Sequence, residues 1–82
     1  MPIVRFRWSP ELIAVRREAC PRARWMAVQR AWEMTAAEAE TFIARSHAAL
    51  DYGRCHTEIA VDGERWLVGF VQGAPCRRGV RS

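Results

Sequence analysis

The chain has 82 residues, half of them hydrophobic, and a formal net charge of +4. This length allows a single domain, and the hydrophobic content is sufficient for a core, which argues against global disorder. No apolar run approaches the ~20 residues that span a bilayer, and no apolar stretch typical of a secretory signal follows Arg5 and Arg7, so we expect a cytoplasmic protein outside the membrane.

Residues 2–8 alternate in character, so that their side chains fall in turn on opposite sides of an extended chain. This pattern is typical of a half-buried β-strand. The predicted buried face consists of Val4, Phe6 and Trp8, and the other face consists of Ile3, Arg5 and Arg7.

A helix of about ten residues is predicted to begin after Ser9. Ser9 can cap the helix, Pro10 suits the first helical position, and Glu11 favours the positive end of the helix dipole. Pro21 ends the helix, because the residue before a proline avoids the helical region.

The segment 22–34 is compatible with two structures. In the first it is a hairpin with a four-residue loop at 26–29, in which Trp25 pairs with Arg30. In the second it is a helix with Trp25 and Trp32 on one side. Propensity mildly favours the helix, because the loop contains none of the residues typical of turns. The hairpin would consist of strands at 22–25 and 30–34.

Thr35 and Glu38 form a capping box, which predicts a helix over about 36–51. Gly53 lies just past its end, where a left-handed cap is common. His47 and Asp51, four residues apart on this helix, are interpreted as a surface pair.

Residues 54–72 are predicted to form a β-hairpin about Asp62-Gly63, a strong two-residue turn signal. The mostly apolar face would pair Val61 with Glu64, Ile59 with Trp66, Thr57 with Val68 and Cys55 with Phe70. The other face would pair Ala60 with Arg65, Glu58 with Leu67 and His56 with Gly69. Residues 1–73 would then form one compact domain, and 74–82 a flexible basic tail.

The sequence contains no motif that indicates catalysis or cofactor binding. The cysteines Cys20, Cys55 and Cys76 include no Cys-x-x-Cys spacing, so we expect two buried thiols, one tail thiol and no metal site. No nucleophile elbow and no glycine-rich phosphate loop is present, and a chain this short encloses a poor pocket. We therefore expect a protein that is not an enzyme and uses no cofactor.

All thirteen basic residues are arginine, whose planar guanidinium group suits phosphate, carboxylate and base edges. If 22–34 is a hairpin, the sheet face away from the helices carries Arg5, Arg7, Arg22 and Arg24, and Arg65 and His56 of the last hairpin are candidate neighbours on it. The alternative is a solvated basic face with acids between the arginines.

Trp8, Trp32 and Trp66 are expected in the core, and Trp25 is expected to be partly exposed. The predicted binding residues are Arg5, Arg7, Arg22, Arg24, Arg30, Arg65 and Trp25, with Arg16, Arg17, Arg77 and Arg78 as secondary candidates.

Residues 3 to about 46 resemble the HARP domain of annealing helicases and bacterial helicase-like proteins. The matching segments are Val-Arg-Phe-Arg-Trp-Ser-Pro-Glu-Leu at 4–12, Ala-Arg-Trp at 23–25, Arg-Ala-Trp at 30–32 and Ala-Glu-Ala at 37–39. The resemblance implies a small α+β domain associated with branched or single-stranded DNA, and it departs from the family in the loop at 26–29. In size and charge the chain is also similar to small phage and mobile-element proteins that inhibit CRISPR surveillance complexes.

We predict an α+β fold, a two-layer sandwich in the order β-α-β-β-α-β-β with a mainly antiparallel sheet and helices on one face. The leading functional hypothesis is a phage or mobile-element inhibitor, of the anti-CRISPR type, that docks on a CRISPR nucleoprotein complex and blocks its DNA binding. A HARP-like module that binds DNA or RNA directly and a protein–protein adaptor subunit are the alternatives. The oligomeric state is left open.

Overall fold

The computed structural model describes residues 1–50, 57–69 and 76–77. These residues form two helices and six strands, which follow the predicted order β-α-β-β-α-β-β with one short strand added after it. The elements are β1 Ile3–Phe6, α1 Pro10–Ala19, β2 Arg24–Met26, β3 Ala31–Glu33, α2 Ala36–Ala49, β4 Thr57–Val61, β5 Glu64–Val68 and β6 Cys76–Arg77.

The strands form one antiparallel sheet in the order β2-β3-β1-β4-β5-β6. β1 lies between the two hairpins, and its Val4 pairs with Trp32 on one side and with Val61 on the other. Asp62 fixes the start of β1 through two bonds. Its backbone N–H donates to the Ile3 carbonyl at 2.9 Å, and its Oδ1 accepts from the Ile3 N–H at 2.8 Å.

The β4–β5 hairpin reverses at Asp62-Gly63, as predicted. Both turn residues have positive φ, 49° and 87°, which is the signature of a type I′ turn. The predicted pairs of Val61, Ala60, Ile59, Glu58 and Thr57 with Glu64, Arg65, Trp66, Leu67 and Val68 are all confirmed. The predicted pairs that involve residues 55, 56 and 70 lie outside the described residues.

The segment 22–34 forms a hairpin, so the helical alternative is wrong. Its register differs from the prediction by two residues, because Trp25 pairs with Trp32 and not with Arg30. The loop runs over 27–30 and is closed by a bond of 3.3 Å from the Arg30 N–H to the Ala27 carbonyl. A shift by two residues preserves the face on which each side chain lies.

Both helices begin at the predicted caps. In α1, Ser9 Oγ accepts from the Leu12 N–H at 3.4 Å and donates to Glu11 Oε2 at 2.7 Å, and this second bond is the main reason that the pKa of Glu11 lies below its usual value. In α2, the reciprocal capping box of Thr35 and Glu38 is complete, with bonds of 3.1 and 2.9 Å. In the described part of the chain, neither helix combines the length and apolar character that a bilayer crossing requires.

The core lies between the two helices and one face of the sheet. Phe6 of β1 packs on Phe42 of α2 with ring centroids 5.0 Å apart. The buried cluster consists of Val4, Leu12, Val15, Cys20, Met34, Ala39, Phe42, Ile43, Leu50, Ile59 and Val68.

Trp8 does not belong to this core, and the prediction that it does is wrong. Its side chain is 74% exposed. The strand alternation that buries Val4 and Phe6 stops at Phe6, because the chain then leaves the sheet to reach the Ser9 cap. Trp32 and Trp66 are half-buried and pack against the core.

Cys20 is buried, as predicted, at the end of α1. Its Sγ donates to the Glu38 carbonyl of α2 at 3.4 Å. Burial, together with the charge of Glu38, raises the pKa of this thiol above its ordinary value, and the charges of Arg16 and Arg45 oppose the shift. The thiols of Cys55 and Cys76 lie outside the described side chains.

His47 is buried, so its interpretation as half of a surface pair is wrong. Its Nδ1 accepts a hydrogen bond of 3.0 Å from the backbone N–H of Gly69, directly after β5. An accepting Nδ1 carries no proton, so the proton of the neutral ring lies on Nε2. The bond ties α2 to the end of the second hairpin; Asp51 lies outside the described residues.

The C-terminal stretch predicted as a tail contains β6, which pairs Arg77 with Trp66 and Cys76 with Leu67. The sequence does not predict this strand, because two residues are too few to show the alternation of polar and apolar side chains that is typical of a strand. The remainder of the predicted tail, including Arg78 and Arg81, lies outside the described residues.

Replacing His47 with Ala should lower the free energy of unfolding by about 1–3 kcal/mol, because the buried N–H of Gly69 loses its acceptor. Urea unfolding followed by circular dichroism measures this loss. The matched control is Arg45→Ala, an exposed position on the same helix, which should change stability by less than ~0.5 kcal/mol. Equal stability of the two variants would contradict the assignment.

Candidate functional site

The sheet face turned away from the helices carries several of the predicted arginines, and we call it the open face. Residues that pair across antiparallel strands lie on the same face of the sheet. Val4 and Ile59 are buried on the face that the helices cover, so the residues that alternate with them, and the strand partners of those residues, form the open face. The open face consists of Arg24 and Met26 of β2, Ala31 and Glu33 of β3, Ile3 and Arg5 of β1, Glu58 and Ala60 of β4, and Arg65 and Leu67 of β5.

Arg5 lies at the centre of the open face. Its Nε donates to the carbonyl oxygen of Gln29, in the β2–β3 loop, at 3.1 Å. Its partner on β4 is Ala60, whose small side chain leaves the guanidinium group uncovered, and Arg5 is exposed. The bond through Nε restrains the group while the two terminal nitrogens have no bond to another described residue.

Arg65 and Arg24 flank Arg5 on opposite sides. Arg65 pairs with Ala60, so its Cα lies two strand spacings, roughly 10 Å, from that of Arg5. Arg24 lies on the edge strand β2, where its Nη1 is 3.9 Å from Glu33 Oε1 and its side chain is 77% exposed. An exposed pair at this distance contributes about 0–1 kcal/mol, so Glu33 holds Arg24 only weakly.

Two acidic residues lie among these arginines. Glu33 faces Arg24 across the β2–β3 pairing, and Glu58 faces Leu67 across the β4–β5 pairing. Three arginines and two glutamates give the open face a formal charge of +1. The face is therefore less basic than an arginine-only surface, and acids do lie between its arginines.

The remaining predicted arginines lie outside the strands that form the open face. Arg7 follows the end of β1 and Arg22 precedes the start of β2, so both leave the strands that were expected to hold them on the face. Arg30 lies in the β2–β3 loop next to Gln29, the residue that Arg5 contacts. These three residues and Arg17 on α1 are exposed. The side chains of Arg77 and Arg78 and the predicted neighbour His56 lie outside the described side chains.

Trp25, predicted as a binding residue, lies on the other face of the sheet. Its ring centroid is 5.2 Å from that of its partner Trp32, with an interplanar angle of 61°. The guanidinium carbon of Arg16 lies 4.1 Å from the Trp32 ring centroid. Trp25 is 52% exposed, which confirms the prediction that it is partly exposed. We call these three residues the tryptophan–arginine stack.

Arg16 is engaged within the fold, although the sequence indicated it as a secondary binding residue. Besides its contact with Trp32, its Nη1 donates to the Cys20 carbonyl at 3.4 Å, at the C-terminal end of α1. Sequence spacing gives no indication of this arrangement, because Arg16 and Trp32 lie on different elements. Only the i, i+4 spacing to Cys20 was available as a local signal.

The described residues provide anion-binding groups and aromatic surface. They include no group of three or more His, Cys, Asp or Glu side chains that could hold a metal ion. No protein-family model, curated protein or solved structure matches the chain. The HARP-like resemblance therefore stays a prediction, and the site is interpreted from its own geometry.

Arg30 has a φ of 50°, in the left-handed region that favours glycine. Because the left-handed conformation disfavours residues with a Cβ, Arg30→Gly should be about 1 kcal/mol more stable than Arg30→Ala. Both variants remove the same charge, so the comparison isolates the backbone. Thermal unfolding measures the difference, and an alanine variant as stable as the glycine variant would contradict the strained conformation.

Proposed function

We propose that this protein is a non-catalytic nucleic-acid-binding module whose open face contacts phosphate groups. The observation that carries the proposal is the placement of Arg5, Arg24 and Arg65 as exposed guanidinium groups on one continuous sheet face. Between described residues, the 3.9 Å contact of Arg24 with Glu33 is the one ion pair. The charges of Arg5 and Arg65 are thus available to an external anion.

The spacing of these arginines favours an extended polyanion over a small anion. A small phosphate or carboxylate ligand needs donors that converge on it, each within hydrogen-bond distance of one of its oxygens. Here the Cα atoms of Arg5 on β1 and Arg65 on β5 lie roughly 10 Å apart, because β4 lies between the two strands. A nucleic-acid strand, with a phosphate every ~3.4 Å of helix axis, offers separate partners to each arginine.

The sign of the charge favours contact with the nucleic acid itself. A protein that occupies the basic nucleic-acid path of another protein is favoured when its contact surface is negative, because like charges across an interface are costly. The open face carries +1, and Arg7, Arg22 and Arg30, which lie close to its strands in the chain, are exposed. An inhibitor of a CRISPR nucleoprotein complex, which the size and charge of the chain support, would then dock through the bound RNA or DNA.

Binding to an oligonucleotide should weaken steeply with salt, because each phosphate contact releases counterions. Four to six contacts predict a loss of affinity of roughly 50- to 2,000-fold between 50 and 200 mM salt. The variant Arg5→Gln, Arg24→Gln, Arg65→Gln should reduce the slope of log K against log salt by about two to three. Fluorescence anisotropy with a labelled oligonucleotide measures both quantities.

The matched control is Arg17→Gln, Arg45→Gln, which removes exposed arginines from the two helices. It should leave the slope within about one unit of the wild-type value. If control and test variants reduce the slope equally, binding is diffuse and the open face is not the site. If wild type binds no oligonucleotide at 50 mM salt, the proposed function itself is wrong.

Replacing Glu33 with Gln should strengthen oligonucleotide binding. The substitution keeps the size of the side chain, removes one negative charge from the open face and releases Arg24 from its ion pair. Isothermal titration at low salt should show a higher affinity, and the gain should shrink as salt screens the charge. Glu40→Gln, at an exposed position on α2, serves as the control. A Glu33→Gln variant that binds more weakly than wild type would place the nucleic acid elsewhere.

A further inference from the structure

The tryptophan–arginine stack lies at an edge of the sheet. Trp25 belongs to β2, the first strand in the sheet order, so one side of its strand has no neighbour among the described strands. Trp32 is covered by Arg16 at 4.1 Å and by Trp25 at 5.2 Å. Trp25 is the outermost member of the stack and has no second ring contact among the described residues.

Trp25 is not a member of the buried core. The buried cluster and the side chains that pack against it include Trp32 but not Trp25. About half of the Trp25 surface, 52%, is exposed to water, although an indole is among the largest apolar groups that a fold can bury. An exposed indole that a second ring holds in place through an edge contact is a surface on which a flat group gains contact area.

The surroundings of Trp25 indicate what that flat group is. Arg24 precedes it on the same strand and projects to the open face, and Arg22 lies two residues before β2 begins. Because β2 is an edge strand, one chain passing along it can reach Arg24 on one side of the sheet and Trp25 on the other. Positive charge beside an exposed aromatic ring complements a nucleotide, with its phosphate and its flat base.

We propose that Trp25 is a stacking platform for an unpaired base, so that this protein binds single-stranded nucleic acid in preference to duplex. In a duplex the bases are stacked on one another and their faces are unavailable to Trp25. The inference rests on the proposed function and specifies its ligand. A second copy of this chain is a less favourable occupant of the same edge, because pairing two β2 strands would bring both copies of Arg24 together.

The test compares binding of a labelled single strand of about 12 nucleotides, within the usual site sizes, and of a duplex of the same length. Four versions of the full chain are compared: wild type, Trp25→Ala, Trp25→Phe and Trp8→Ala. Trp8 serves as the control because it is a second exposed tryptophan and has no ring contact among the described residues. Stacking on an aromatic residue is equivalent to roughly 5- to 150-fold in affinity per base. Trp25→Ala should therefore lose that factor for the single strand and less than about twofold for the duplex.

Trp25→Phe should retain most of the single-strand affinity, and Trp8→Ala should match wild type. A second readout does not depend on the stability of the alanine variant: the single strand should quench the tryptophan fluorescence of wild type, and Trp25→Phe should lose most of this quenching while Trp8→Phe retains it. Equal loss for single strand and duplex, or unchanged quenching in Trp25→Phe, would overturn the inference and leave the proposed function standing. A wild type that binds neither oligonucleotide would overturn both.

Discussion

The alternation of β1 is the constraint on which the rest of the structure depends. This four-residue strand is the one that joins the β2–β3 hairpin to the β4–β5 hairpin in the sheet. Val4 is fully buried and Phe6 packs on Phe42, so Arg5 must project to the opposite face. If the register of β1 slipped by one residue, Arg5 would point into the core. The free-energy cost of burying its unpaired charge is far larger than the stabilisation that one pair of strand residues provides. Core packing and the central arginine of the open face are thus two consequences of one register.

Turn chemistry explains how far the sequence could predict the two hairpins. Asp62-Gly63 favours a type I′ turn, whose geometry admits one register, and all five predicted pairs between described residues are present. The β2–β3 loop has no glycine, proline, asparagine or aspartate. Arg30 adopts a positive φ there because the tertiary structure holds the strands together, and no local rule indicates that. The alternation of side chains along 22–34 indicated which residues share a face of the hairpin, but nothing in the sequence indicated its register.

The errors at strand ends and in the site have a different origin. The alternating pattern of the sequence continues through Arg7 and Trp8. In the structure β1 ends at Phe6, because the chain must turn to place Ser9 as the cap of α1. His47 was assigned to the surface because its partner, the N–H of Gly69, is 22 residues away. Likewise, sequence alone allowed acids between the arginines but did not predict which acid faces which arginine, since Glu33 and Arg24 become neighbours only once the register is fixed.

The acids among the arginines have a physical role in the free protein. Three guanidinium groups on one small face repel one another, and that repulsion opposes folding where no partner screens it. Glu33 relieves part of it through a contact worth little, about 0–1 kcal/mol at an exposed site, so a phosphate can displace it at small cost and form stronger charge-assisted bonds. Phosphate contacts alone do not distinguish one nucleic acid from another, because every strand carries the same phosphates. Under the proposed function, discrimination between ligands then comes from a contact that salt does not screen, and among the described residues the exposed ring of Trp25 beside Arg24 is placed to make it.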